Sequence, residues 1–405
     1  MAAEQLVREV VAWWQEFRNA DFGLRVPQSA LRNPQRVGGE ARAEPRRGDR
    51  VAVAMSGGVD SSLAAALLVE AGYDVVGISM RLWCDPAGSG CCSPDDFADA
   101  GRVASRLGIP FHVMDLRHAF ADNVVGPFVA EYLLGRTPNP CVRCNQFVKF
   151  GAFWERARQL GAQWMATGHY ARVRREAGAA PAALLCAADA AKDQSYFLFA
   201  VEPAVLARSL FPIGELSKAQ VREQARSLGL PVAEKPESQE VCFGPRGNYA
   251  AFVERHAAAG EIRQGTIVDE SGQVLAWHDG IHRFTVGQRR GLGLSAGSPL
   301  YVTRIDAASR TVHVGPRAAV LAPGLVARGV RWLCGTPVSP GTRLHAKIRS
   351  RFGPTEVTIS DATTDSFVAR ARRGMAAVTP GQAAVLYAGA RVIGGGWIER
   401  ALEAG

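Results

Sequence analysis

Two groups of residues in this 405-residue chain are equipped for chemistry: a serine- and glycine-rich turn near residue 57, and a scatter of cysteines. The turn reads Ala54-Met55-Ser56-Gly57-Gly58-Val59-Asp60-Ser61-Ser62. The apolar run that leads into it, Val51 to Met55, predicts a buried strand. Leu63 to Leu68 predict a helix that opens at Ser61-Ser62. Strand, tight turn and helix N-terminus together make an anion site. Backbone N–H groups and the helix dipole converge on one point, and the two glycines let a phosphate approach the main chain. No Gly-Lys-Ser/Thr follows the glycines, so this is not a Walker A loop. An ordinary glycine turn is the alternative, and one Asp with three Ser in nine residues argues against it.

The eight cysteines stand at 84, 91, 92, 141, 144, 186, 242 and 334. Uneven spacing in a long chain without a signal-peptide layout points to a reducing compartment, where thiols serve redox, metal or sulfur chemistry. Cys141 and Cys144 fall in Arg136-Thr137-Pro138-Asn139-Pro140-Cys141-Val142-Arg143-Cys144-Asn145. The two prolines are expected to end one helix and Asn145 to cap the next. Cys144 would then lie at a helix N-terminus beside Arg143, and both favour the thiolate. Half of a structural zinc site is the alternative, but no second Cys-x-x-Cys completes it. Cys242 closes Glu237-Ser238-Gln239-Glu240-Val241-Cys242-Phe243, after a polar stretch from Pro231 to Glu240 that reads as a mobile loop. It is either an incidental buried thiol or a partner that folding brings to Cys144. Cys84, Cys91 and Cys92 read as incidental, with a metal site or extra thiols as alternatives.

The elements that must position these groups alternate strand and helix from Val51. Strands are predicted at Asp74–Met80, Phe111–Leu116 and Trp164–Tyr170. Helices are predicted at Asp95–Leu107, Ala119–Gly135 and Asn145–Leu160. The fold class is α/β, a doubly wound parallel sheet whose ligands lie at the carboxyl ends of the strands. Met80 and Thr167-Gly168-His169 end strands there. A short strand at Ala182–Ala188 and a helix at Lys218–Leu228 follow. After a helix near Tyr249–Arg255 the pattern turns to β. Asp269-Glu270-Ser271-Gly272 and Asp306-Ala307-Ala308-Ser309 read as hairpin turns. Strands from Val326 to Glu399 (Arg343–Arg349, Thr355–Ser360, Ser366–Ala371, Ala383–Tyr387 and Arg391–Glu399) suggest a small barrel. The expected division is a 1–49 extension, a catalytic domain over 50–246, a β-rich domain over 247–324 bounded near Pro323-Gly324, and a barrel over 325–405. In the extension, Leu6 to Trp14 reads as an amphipathic helix, followed by a linker.

With 47% hydrophobic and 21% charged residues the composition is that of a soluble globular protein. No apolar run reaches membrane-spanning length, so a cytoplasmic protein is expected. A net charge of +9 permits a polyanionic partner such as nucleic acid. Thr285-Val286-Gly287-Gln288-Arg289-Arg290-Gly291-Leu292-Gly293 is basic and glycine-rich, so its backbone could meet a phosphodiester; solvated arginines on a twisted hairpin are the alternative.

Ser56-Gly57-Gly58-Val59-Asp60-Ser61 resembles the PP-loop of the ATP pyrophosphatases. The order of further motifs narrows this. Gly135 to Asn145, Ala166-Thr167-Gly168-His169-Tyr170, Lys192-Asp193-Gln194-Ser195-Tyr196-Phe197, Phe211-Pro212-Ile213-Gly214-Glu215-Leu216, Cys242-Phe243, Val286 to Gly293 and Val378-Thr379-Pro380-Gly381-Gln382 follow one another. In that order, from about residue 50 to 400, the chain is similar to the bacterial tRNA-specific 2-thiouridylases. The resemblance implies adenylation of the wobble uridine of tRNA at oxygen 2, with pyrophosphate release. ATP would be held by Ala54, Met55, Ser56, Gly57, Gly58, Val59, Asp60, Ser61 and Ser62, with Met80 and Gly168 on its adenosine. Mg²⁺ would bridge phosphate oxygens, with Asp60 a contact. Cys242 would carry a persulfide from a cysteine desulfurase or a sulfur-relay protein, and Cys144 would be the second catalytic thiol. The two would end as a disulfide that a reductant resets. Asn139, Pro140 and Cys141 would lie near the target base. His169, Lys192, Asp193, Gln194, Arg349, Ser350 and Gln382 would contact tRNA.

One position departs from the family pattern: some members carry Asp where this chain has Cys141. Cys141, Cys144 and Cys242 could instead hold an iron–sulfur cluster with one open iron. A cluster would replace the persulfide scheme, because ligating thiolates cannot also cycle through a disulfide. Two other classes of function compete. Another PP-loop ligase or amidotransferase would need no essential cysteine. A non-enzymatic ATP-responsive RNA-binding protein would bind tRNA without releasing pyrophosphate.

Overall fold

A computed structural model of the chain describes residues 44–83, 94–175, 181–236, 242–243, 248–295 and 297–403. The helix expected at Leu6–Trp14 and Cys84, Cys91 and Cys92 lie outside the described residues. The backbone divides into two units. The first holds the described residues up to Gly126, Cys144–Ser195 and Val201–Phe243. The second holds Pro127–Arg143, Tyr196–Ala200 and the chain from Gly244 on.

The first unit is built on a five-stranded parallel sheet. Its strands are β1 (Arg50–Ala54), β2 (Asp74–Arg81), β3 (Phe111–Asp115), β4 (Trp164–Thr167) and β7 (Ser209–Leu210), in the order β3-β2-β1-β4-β7. Strand β1 is central. Val51, Ala52 and Val53 are 0% exposed, which is why this strand reads as an unbroken apolar run rather than an alternation. The order reverses between β1 and β4, and their carboxyl ends frame the crevice where such sheets bind ligands. A hairpin of β5 (Ala171–Arg174) and β6 (Ala183–Cys186) follows β4.

The helix after β1 runs Val59–Glu70 and so opens two residues ahead of the predicted start. Gly58 is its extended N-cap and supplies no side chain. Instead, Ser62 Oγ donates 2.8 Å back to the Gly58 carbonyl, and Ser61 Oγ does so at 3.2 Å. The helix over 117–133 carries a π-helical stretch at Ala121–Val125. The larger correction concerns the helix at the cysteines. It begins at Pro140, not Asn145: Pro140–Arg143 is α, Cys144–Ala152 is π-helical, and Phe153–Gln159 is α. Proline is at home in the first turn, where its missing N–H costs nothing. Asn139 Oδ1 accepts from Val142 N at 3.3 Å and so does the capping expected of Asn145. The cysteine in the first turn is therefore Cys141, and Cys144 lies one turn further in. The stretch after Pro231 is also more anchored than its polarity suggests. Val232 and Ala233 are buried in the core, and Arg222 donates to the carbonyls of Ala233 and Lys235.

The second unit contains two β structures. In the first, β8 (Gly265–Val268), β9 (Val274–His278), β10 (Tyr301–Asp306) and β11 (Thr311–Gly315) form a sheet in the order β10-β11-β8-β9, with both predicted hairpin turns in place. In the second, β12 (Leu321–Trp332), β13 (Arg343–Lys347), β14 (Thr355–Ala362), β15 (Ser366–Ala376), β16 (Ala383–Ala388) and β17 (Arg391–Ala401) pair antiparallel, and β12–β17 pairing closes a six-stranded barrel. Pro323-Gly324 lies inside β12, where the register shifts at a bulge that tolerates a missing N–H. The barrel interior is filled by Leu325, Ala327, Ile359, Phe367, Leu386 and Ile398 among others.

Candidate active site

The glycine turn sits at the β1/β4 switch point. Gly57 has φ +72, and a Cβ there would overlap the Asp96 carbonyl of the helix Pro94–Leu107. No side chain fits, so the backbone is bare where an anion must approach it. Ser56 is exposed; its N–H donates to Ser61 Oγ at 3.1 Å, and the two hydroxyls stand 3.2 Å apart. Ser79 Oγ on β2 donates 2.7 Å to the Met55 carbonyl and pins the end of β1. Met80 is the next residue, half-buried on the same strand. The turn's bare backbone, hydroxyls and helix N-terminus fit the phosphates of a nucleotide.

After β4, Gly168 packs against the start of the helix behind the turn. A Cβ on it would stand 2.6 Å from Ser61 N and 2.7 Å from the Asp60 carbonyl carbon. Thr167 Oγ1 and His169 Nδ1 are 2.8 Å apart, which fixes the imidazole. That ring packs against both Phe150 and Phe211, with centroids 5.8 and 6.2 Å away. Burial, followed by the charge of Lys149, holds the His169 pKa well below the usual histidine value. The imidazole is therefore neutral at pH 7.

Asp60 is the acid of the turn, and it has partners that no local pattern reveals. Lys218 Nζ lies 2.7 and 2.9 Å from its two oxygens, and Tyr170 OH donates to Oδ1 at 2.8 Å. Tyr170 N–H in turn donates to Gln194 Oε1 at 2.9 Å. Asp193 accepts from Ala187 N–H, Ser195 N–H and Ser195 Oγ. Asp193 and Gln194 thus shape the loop on which half-buried Lys192 is carried.

Cys144 is buried at the head of the π-helical stretch, an insertion frequent at functional sites. Cys242 is half-buried in the same unit, and its neighbour Phe243 is buried edge-on against Phe120, with centroids 5.5 Å apart. Neither cysteine is in a disulfide, and nor is exposed Cys141. Among the described residues, no three His, Cys, Asp or Glu side chains stand together at metal-ligating spacing.

In the second unit, the Thr137–Pro140 loop is held from the barrel. Gln382 Nε2 donates 3.0 Å to both the Thr137 and Pro138 carbonyls, and Thr137 N–H donates 2.9 Å to the Pro380 carbonyl. Asn139 and Pro140 are buried there. Arg349 Nη2 donates to Thr379 Oγ1 at 2.7 Å and to the Val286 carbonyl at 3.0 Å, so half of its fork is spent on the protein. Ser350 follows it, half-buried. Arg289 and Arg290 are exposed on a turn that Gln288 braces by donating to the Arg290 carbonyl at 3.0 Å.

Three family models match the chain in succession. They are described as a tRNA methyl transferase HUP domain over residues 49–246, a tRNA methyl transferase PRC-barrel domain over 250–316, and an aminomethyltransferase beta-barrel domain over 323–398. The tRNA-specific 2-thiouridylase MnmA of Geobacter metallireducens is 49% identical over 364 residues, 88% of this chain and 98% of that protein. Its namesake in Sorangium cellulosum is 48% identical over 367 residues, covering 89% and 94%. The chain belongs to the tRNA-specific 2-thiouridylase family. Two of the model descriptions say methyl transferase, but the relatives matched nearly end to end are named 2-thiouridylases. Among solved structures, a 4-thiouridine synthetase–RNA complex with bound ATP gives a TM-score of 0.33 at 16% identity, covering 51% of this chain and 50% of that one. At that level the likeness carries no argument. No described helix of this 2-thiouridylase family member is long and apolar enough to cross a membrane.

Proposed function

We propose that the chain thiolates carbon 2 of the wobble uridine in tRNA, using ATP and a persulfide on Cys242. Membership of the family makes it a tRNA sulfurtransferase of the ATP-using PP-loop class. The observation that carries the finer reading is a glycine turn fit for phosphate in the same unit as two cysteines outside any disulfide and of unequal exposure, half-buried Cys242 and buried Cys144.

The chemistry follows from the leaving group. A carbonyl oxygen departs poorly. Attack of uracil oxygen 2 on the α-phosphorus of ATP expels pyrophosphate, held by Ser56 to Ser62, and converts that oxygen into part of AMP. Magnesium supplies charge neutralisation on the phosphates when bound, with the carboxylate of Asp60 available to it. Cys242 receives a sulfane sulfur from a cysteine desulfurase or a relay protein. The Cys144 thiolate attacks Cys242 sulfur, forming the Cys144–Cys242 disulfide and releasing hydrosulfide. Hydrosulfide adds at carbon 2, and AMP leaves. An external dithiol then returns both cysteines to thiols, taking up the two-electron oxidation. Asn139, Pro140 and Cys141 face the base in this reading, and His169, Lys192, Arg349 and Ser350 contact the tRNA. Gln382 acts by holding the Thr137–Pro138 carbonyls. Cytoplasmic tRNA is the substrate pool.

Among the described residues no three-ligand group stands ready for a cluster. No step is routed through one. The test is anaerobic incubation of iron-free protein with MgATP, a persulfide donor and unmodified tRNA, followed by digestion and mass spectrometry. The expected result is 2-thiouridine at position 34, lost in Cys242→Ala and in Cys144→Ser. Thiolation only with bound iron would overturn the persulfide route. Pyrophosphate release without any 2-thiouridine would return the chain to the ligase class.

A further inference from the structure

The basic, glycine-rich stretch Thr285–Gly293 has no part in the reaction proposed above, yet the second unit holds it in a defined shape. Phe284, Val286 and Leu292 are buried, and Phe284 and Leu292 belong to the apolar core of the sheet formed by β8 to β11. Gln288 spends both ends of its amide on the turn. Its Oε1 accepts from Thr285 N–H, and its Nε2 donates to the Arg290 carbonyl, both at 3.0 Å. Gly287 N–H donates 2.7 Å to the Val302 carbonyl, and Val302 N–H donates 2.9 Å to the Gln288 carbonyl, so the turn is laced to β10. Solvated arginines on a hairpin would need none of this.

Between these anchors the outer surface is left open. Arg289, Arg290, Gly291 and Gly293 are exposed. Among the described residues, neither guanidinium meets a carboxylate, and none of the four backbone N–H groups finds an acceptor. Gly291 and Gly293 have φ +73 and +68, whereas the only described non-glycine residues with positive φ are Arg310 and Ala377. Residues 290 to 293 therefore alternate in backbone handedness, the alternation from which anion-binding concavities are built. A Cβ on Gly293 would meet nothing within 4 Å, so glycine is there for its conformation and not for want of space. The turn also adjoins Arg349, whose Nη2 donates 3.0 Å to the Val286 carbonyl. The reading above places Arg349 on tRNA, so the two form one continuous surface.

We propose that the turn Gln288–Gly293 is a phosphodiester site for the tRNA backbone. The guanidinium groups of Arg289 and Arg290 neutralise phosphate charge, and the N–H groups of the glycine turn orient one phosphate. The site contributes affinity and register, not choice of base. The proposal rests on the tRNA reading above and deepens it by naming a contact outside the residues assigned there.

The test is equilibrium binding of unmodified tRNA across a KCl series to wild-type protein, Arg289→Gln/Arg290→Gln and Gly291→Val. MgATP binding and melting curves report folding. Loss of two phosphate contacts predicts roughly 5- to 50-fold weaker tRNA binding at low salt in the arginine variant, and a slope of log Kd against log salt smaller by about 1 to 2. Gly291→Val keeps every charge but puts a β-branched residue at φ +73. It should weaken tRNA binding by at least about threefold. MgATP affinity should stay within about twofold of wild type in both. Wild-type affinity and slope in the arginine variant would overturn the proposal and leave two solvated arginines. Wild-type affinity in Gly291→Val would overturn the built turn and leave only long-range attraction. Inorganic phosphate that competes with tRNA beyond its ionic strength would overturn it too, in favour of a free anion. Absence of tRNA binding in the wild type would overturn the tRNA reading as well.

Discussion

Gln382 Nε2 donates at 3.0 Å to the backbone carbonyls of both Thr137 and Pro138, although 244 residues separate it from the nearer one. A single barrel side chain thus sets the approach to Asn139, Pro140 and Cys141. The adjacent Gly381, at φ +90, has no room for a Cβ, which would stand 2.9 Å from the Thr137 carbonyl. A motif near the end of the chain and a motif near its middle are two halves of one brace.

Gln382→Ala removes both donors from carbonyls that are only partly solvated. The expected cost is about 1–3 kcal/mol of stability, read as a lower denaturant midpoint. If Gln382 acts by holding the loop, the thiolation kcat should fall about tenfold while the Kd for tRNA moves less than threefold. A side chain that contacts tRNA directly would show the opposite split, and a filter-binding titration beside single-turnover thiolation separates the two.

Gly168 offers a sharper test of the first unit. A Cβ at 2.6 Å from Ser61 N and 2.7 Å from the Asp60 carbonyl carbon has backbone, not a flexible side chain, in its way. Gly168→Ala must push the helix start away from β4. The predicted outcome is MgATP binding weakened by at least tenfold and a stability loss of about 1–3 kcal/mol. Binding unchanged from wild type would mean that the turn and the end of β4 do not form one nucleotide site.

How much of this was legible beforehand differs from residue to residue. The phosphate turn was legible because strand, glycines and helix are contiguous, and the parallel sheet because its central strand is apolar throughout. The cysteine helix starts ahead of the expected Asn145, because a proline that breaks a helix in its interior is accommodated in its first turn, and Pro140 takes that place. The π-helical stretch beginning at Cys144 falls within the helix expected over Asn145–Leu160, but nine residues of apolar pattern do not distinguish a π-helical turn from an α-helical one. The Lys218–Asp60 pair and the Gln382 brace were invisible for a different reason: tertiary packing decides both, and no local pattern encodes a partner 158 or 244 residues away.

Tyr196 belongs to the Lys192–Phe197 motif, and its hydroxyl is spent inside the second unit. The side chain is fully buried, and its OH donates 3.0 Å to the Ala383 carbonyl on β16, with the Asn139 side chain a further partner. Burial raises its pKa above the ordinary tyrosine value, so it stays protonated. Tyr196→Phe keeps the packing and leaves those polar groups short of a partner. The expected cost is about 1–2 kcal/mol by chemical denaturation, with no change in the absorbance titration of the remaining tyrosines below pH 10.

His169 gives a prediction in pH. Its folded pKa is lowered by burial and then by Lys149, whereas in the unfolded chain it titrates near the ordinary value of about 6.5. As pH falls through that value, the unfolded state takes up a proton that the folded state refuses. The contribution of a neutral His169 to stability is therefore full above about pH 6.5. It is lost progressively as pH falls below that toward the lowered folded value, with a slope of at most about 1.4 kcal/mol per pH unit. His169→Gln removes this dependence. His278 and His282, whose pKa values are also lowered by burial, are unchanged in that comparison and cancel. Urea denaturation at pH 7.5, 6.5, 6.0 and 5.5 should show the wild type losing stability faster than His169→Gln below pH 6.5, and the two running parallel above it. Parallel curves across the whole range would mean that His169 is already solvated, and the account of a neutral imidazole packed against Phe150 and Phe211 would fail with it.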